Sequence, residues 1–90
     1  MPQRVAYVLL VQSPTGWRTT VAEIPRALAC GALVGVPATA SLAEATESFE
    51  FKLRESWGVT EPVVWQPLRP DWWAAELVTG SLRDAGELDD

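Results

Sequence analysis

Ninety residues with 48% apolar content and a net charge of −5 suffice for one domain with a single modest core and are too few for two. No apolar run approaches the roughly 20 residues that cross a bilayer, and residues 4–12 are too short and alternating for a signal-peptide core, so a cytoplasmic protein is expected. Four acids, Asp84, Glu87, Asp89 and Asp90, crowd the last seven positions, whereas residues 1–43 hold Arg4, Arg18 and Arg26 against Glu23. No basic stripe is present to neutralise phosphates, which argues against direct nucleic-acid binding.

Residues 4–12 (RVAYVLLVQ) place Val5, Tyr7, Leu9 and Val11 on one side and Ala6, Val8 and Leu10 on the other. Both sides are apolar, as in a central strand. Ser13-Pro14-Thr15-Gly16 has proline at the second and glycine at the fourth position of a type I turn, predicting a hairpin. In residues 17–24, Trp17, Thr19, Val21 and Glu23 oppose Arg18, Thr20, Ala22 and Ile24, a second strand with one wetter face. Pro25 ends it. Within residues 26–40 a turn of helix at 26–30 stays open, but Gly31, Gly35 and Pro37 forbid a long one. A third strand over residues 32–39 is the preferred reading, with Gly35 and Pro37 marking a bulge or an edge.

Ser41 followed by Glu44 forms a capping box that opens a helix. At 100° per residue, Leu42, Ala45, Thr46, Phe49, Leu53 and Trp57 fall in one stripe, with Glu44, Glu47, Arg54 and Glu55 opposite. Gly58 supplies the left-handed stop, and Val59 is placed to fold back on Leu53. Val63-Val64-Trp65, between Pro62 and Pro67, reads as a short fourth strand at an edge. Asp71 is placed to cap a short helix over residues 72–78 in which Trp73 and Leu77 share a face, although an extended reading of that piece stays open. From Ser81 the chain is polar and acidic. The expected architecture is α+β: a three- to four-stranded, mainly antiparallel sheet, one main helix on one face, and a short C-terminal helix. Residues 1–80 form the domain and residues 81–90 a frayed acidic tail.

The sequence has no histidine, which removes catalytic triads and imidazole acid–base chemistry. Cys30, in the setting Ala-Cys-Gly-Ala, has no cationic neighbour and reads as a small buried hydrophobe. The helix glutamates read as a solvated face, with Glu50 supporting Arg54 four residues on. Nothing in the pattern calls for a metal or cofactor. Residues 53–59 resemble the end of a Nudix box, but Phe51-Lys52 and Glu55-Ser56 stand where that family holds its metal. Five tryptophans are more informative. Trp57 and Trp65 read as core, whereas Trp17, Trp72 and Trp73 are too much for so small a core to bury together. Phe51 points about 180° from the apolar stripe. Phe51, Trp72, Trp73 and Trp17 are therefore the candidate partner-binding residues.

The order strand, turn, strand, strand, helix, strand resembles the HicB-like domain of type II antitoxins. Pro25-Arg26-Ala27-Leu28-Ala29-Cys30 keeps the proline and cysteine of that family's Pro-x-x-Pro-Gly-Cys segment, and Thr39-Ala40-Ser41-Leu42-Ala43-Glu44-Ala45 keeps the hydroxyl, Leu, Glu and Ala of the segment that opens its helix. The middle Pro-Gly is missing, about five extra residues separate Cys30 from Ser41, and no DNA-binding module follows Trp65. The resemblance implies a non-enzymatic α+β protein that acts by covering a protein partner such as a toxin or regulator, and self-association into a homodimer is compatible with it. The alternatives are a small-molecule-binding homodimer or minor enzyme with a Trp-lined cleft, and an acidic nucleic-acid mimic of a mobile element.

Overall fold

The Ser13–Gly16 turn closes a two-residue hairpin, with Ser13 paired to Gly16 and the Ser13 hydroxyl donating to the Gly16 carbonyl at 2.8 Å. From this hairpin grows a sheet seen in a computed structural model that describes residues 4–24 and 27–86. The elements are β1 (Arg4–Ser13), β2 (Gly16–Ile24), β3 (Ala27–Ala32), α1 (Leu42–Trp57), β4 (Gln66–Arg69), β5 (Trp72–Glu76) and α2 (Ser81–Asp84). All pairings are antiparallel, in the order β3-β2-β1-β5-β4. The α+β class with a main and a short helix holds, but the sheet has five strands rather than three or four. Pro25, expected to break the second strand, lies outside the described residues.

β1 departs from simple alternation. Val5 pairs with Glu23 and Tyr7 with Ala22, so Ala6 is an extra residue in a bulge. The bulge shifts the phase: Val5 joins Val8 and Leu10 in the core beneath α1, while Ala6 joins Tyr7 and Leu9 on the opposite face. The expected grouping of Val5 with Tyr7 and Leu9 is thereby corrected, because one inserted residue exchanges the faces of everything before it.

α1 starts and stops as its end residues dictate. The Ser41 hydroxyl accepts from the Glu44 N–H at 3.2 Å, and Gly58 closes the helix at φ 68°. Val59 N–H donates back to the Leu53 carbonyl at 3.1 Å, and both side chains are buried. Ala45, Phe49 and Leu53 pack on Val8, Leu10, Trp17, Val21 and Ala75 of the sheet. Trp17 and Trp73 lie side by side in this layer with centroids 5.7 Å apart, and Phe49 meets Trp65 at 5.7 Å.

Three expected elements are relocated. The third strand is Ala27–Ala32, not residues 32–39. Its alanines and glycine have weak strand preference, and the ladder to β2 overrides it. Val63, Val64 and Trp65 lie in no strand. β4 follows them, and it occupies the edge that the flanking prolines suggested. Residues 72–76 form a strand rather than a helix, central in the sheet beside β1. Trp73 and Leu77 share a face in either conformation, since a spacing of four satisfies both periods. Asp71 is the left-handed residue of the β4–β5 hairpin, φ 66°, and not a helix cap.

The short helix is α2, inside what was expected to be a frayed tail. The Ala6 carbonyl accepts from the N–H groups of Leu77 (2.8 Å) and Val78 (2.9 Å) and from the Ser81 hydroxyl (3.0 Å). Leu82 is fully buried against the sheet face opposite α1, and its N–H donates to the Glu76 carboxylate at 3.0 Å. The boundary at residue 80 therefore falls before a segment packed on the body. Glu87, Asp89 and Asp90 lie outside the described residues.

Leu82→Ala is expected to cost about 2–3 kcal/mol, the low end for a buried leucine because a one-turn helix can close over the space. Thermal unfolding should show a fall of at least about 8 °C; no shift would mean that α2 is not docked. Asp71→Gly should instead stabilise by about 0.5–1 kcal/mol, by relieving a left-handed non-glycine residue, with a higher melting temperature as the readout.

Candidate partner-binding surface

The outer face of α1 is set by the same 3.6-residue period that buries Phe49. Phe51 projects from it and is 59% exposed, as the helical phase predicts. Its ring stands between two open depressions. One also contains Gly35, Val36, Glu44, Glu47, Ser48 and Arg54, and the other Ala32, Leu33, Val34, Lys52, Glu55 and Ser56. The segment that follows β3 thus runs beside the outer face of α1. Val34 on this segment is 94% exposed, while its neighbour Leu33 is buried and anchors it through an N–H bond to the Trp17 carbonyl at 3.0 Å. Gln12 Nε2 donates to the Ala38 carbonyl at 2.8 Å and fixes the far end. Phe51 and Val34 form an apolar centre with charged side chains of both signs around it.

The four sequence candidates do not converge. Trp17 is 1% exposed in the core under α1, which corrects its assignment as a surface residue. It is buried because it follows Gly16 at the start of β2 on the helix-facing side, where Trp73 and Leu33 close over it. Its indole N–H has no hydrogen-bond partner among the described residues. Trp73 is partly buried in the same layer. Trp72 lies on the opposite sheet face, half-buried, with the Arg69 guanidinium 4.7 Å above its ring. Phe51 alone of the four stands on the outer surface of the helix layer.

Sequence reasoning passed over Val34 and Leu28, which is 68% exposed on β3. The available signal was the run Leu33-Val34-Gly35-Val36-Pro37, a loop composition with three large apolar residues. Cys30 was expected to be buried and is exposed, because Leu28, Cys30 and Ala32 occupy the face of the edge strand that α1 does not cover. The Thr20 hydroxyl and Cys30 Sγ, 3.9 Å apart, lie together on that face. Glu50, expected to support Arg54, accepts from the Trp65 indole at 2.9 Å and ties the segment before β4 to the helix.

An open depression of about 550 Å³ lies at the β1–β2 hairpin end, with Val11, Arg18, Thr20, Cys30 and Trp72 among its walls. It gathers no pair of carboxylates. Among the described residues no group of three His, Cys, Asp or Glu side chains is arranged to hold a metal ion, and no helix is long and apolar enough to cross a membrane. No protein-family model, curated protein or solved structure matches the chain.

Phe51→Ala should change stability by less than about 0.5 kcal/mol, as an ordinary surface substitution does. Phe49→Ala, two residues away and fully buried, should cost about 3–5 kcal/mol. Chemical denaturation of both variants reads the difference directly, and the reverse order would place the helix on its other face.

Proposed function

We propose that this chain is a non-enzymatic protein-binding module that covers part of a partner, in the manner the HicB-like resemblance implies. The observation that carries this reading is the pairing of Phe51 with Val34: two exposed apolar side chains from elements 17 residues apart in sequence, held over depressions with a charged rim. A solvated helix face has no use for such a centre, whereas interfaces commonly place an aromatic anchor among polar residues. The anchored ends of the 33–40 segment support the same reading, because a pre-ordered surface loses less freedom on binding. A Trp-lined ligand cleft has less support: Trp17 and Trp72 both border the hairpin depression, but Trp17 is 1% exposed and belongs with Trp57, Trp65 and Trp73 to the core under α1.

The test is affinity capture from the native host with the full chain as bait, beside the Phe51→Glu and Val34→Glu variants. A specific protein retained by the parent chain and weakened at least about tenfold by each variant is the expected result. A partner bound equally by all three baits would remove this surface from the proposal. Failure to retain any protein would count against the binding role itself.

A further inference from the structure

The two edges of the sheet are treated differently. β4 has four residues, contains Pro67 and Arg69, and breaks register between them, so it is protected by three of the devices that block edge pairing. β3 has none of these. It is six residues of Ala-Leu-Ala-Cys-Gly-Ala with no charge, no proline and no register shift against β2.

Its hydrogen-bonding phase follows from one bond. Leu33 N–H donates to the Trp17 carbonyl at 3.0 Å, one position beyond the Arg18–Ala32 pair. Antiparallel ladders alternate, so Gly31 and Ala29 direct their backbone groups toward β2. Leu28, Cys30 and Ala32 then direct theirs away from the sheet. Among the described residues no strand takes them up.

We infer that β3 is a self-association edge, through which two copies of the chain pair antiparallel about a twofold axis at Cys30. That register alone engages all three outward-directed residues: Cys30 faces Cys30 of the second copy, and Leu28 faces Ala32 in both directions. Three bonded pairs supply about six interchain backbone hydrogen bonds. The occupant is a second copy because the strand complements itself. An uncharged strand sets no like charges opposite one another despite a net charge of −5 on each chain. Leu28, its one bulky side chain and 68% exposed, falls opposite a small alanine. The product is a continuous ten-stranded sheet whose seam ends at Ala32, which also borders one depression beside Phe51, while Phe51 itself lies outside the seam on α1; the edge pairing does not rest on the proposed function.

A contact one strand wide is below the area of stable interfaces, so a reversible dimer with a dissociation constant of roughly 10–100 µM is expected. Sedimentation velocity of the full chain across that range should show it. Leu28→Lys adds a charge at an exposed site, and Cys30→Pro removes an outward N–H without touching the ladder to β2. Each should weaken association at least tenfold, with circular dichroism confirming the fold. A short bismaleimide should link the parent chain into dimers through its sole cysteine, and link Leu28→Lys at least tenfold more slowly. A parent chain that stays monomeric overturns the inference, whether or not another protein occupies the edge. A dimer that persists unchanged in correctly folded Leu28→Lys overturns it equally.

Discussion

The carbonyl of Ala6 is the point on which the two faces of the sheet are reconciled. As the extra residue of a bulge, Ala6 is released from simple alternation, and its carbonyl collects three donors from residues 77–81. The same residue rotates Val5 into the core under α1. Without the bulge, Val5 would face the opposite layer, and the chain leaving β5 would lose its main acceptor. One inserted residue therefore completes the first core and docks the element that covers the second.

The two cores are unequal. The layer between sheet and α1 holds Trp17, Phe49, Leu53 and Trp73, large side chains that fill space at a low count of residues. Among the described residues the opposite face is covered by α2 through Leu82, with Leu68, Trp72 and Val78 packed around Ala6, Tyr7 and Leu9, and α2 is too short to reach β3. This asymmetry explains why Ile24, Leu28 and Cys30 remain at the surface. A 90-residue chain builds one complete layer and part of a second, and part of the apolar surface it leaves uncovered lies on the β3 side, with Val64 exposed before β4 at the other edge.

Phe51 and Val34 have a different origin. The helix period leaves Phe51 outside, but the segment after β3 brings Val34 to it. That placement depends on Leu33 and Gln12 holding the segment against the sheet. The apolar centre there is thus a product of order rather than of an unfilled core, which is why it supports a recognition role. The tryptophans illustrate the contrary case. Trp17 and Trp73 looked like surplus aromatic surface when counted along the chain, yet they pack against each other and absorb one another's area.

Local chemistry was sufficient wherever a signal repeats within a few residues. The sequence by itself determined both ends of α1, its buried face, the exposure of Phe51, the first hairpin and the phase of β2. Each follows from capping, turn or period within about 10–16 residues. Tertiary structure alone decided the rest. The Ala6 bulge appears only when β1 is laid against β2. Strand or helix over residues 72–76 could not be separated by a spacing of four, and the vacant edge of β1 chose strand. β3 forms from poor strand residues because β2 offers it a ladder, and Cys30 and Trp17 exchange their expected environments because burial depends on which face the helix covers. Those outcomes rest on pairings between residues far apart in sequence, which no local pattern carries.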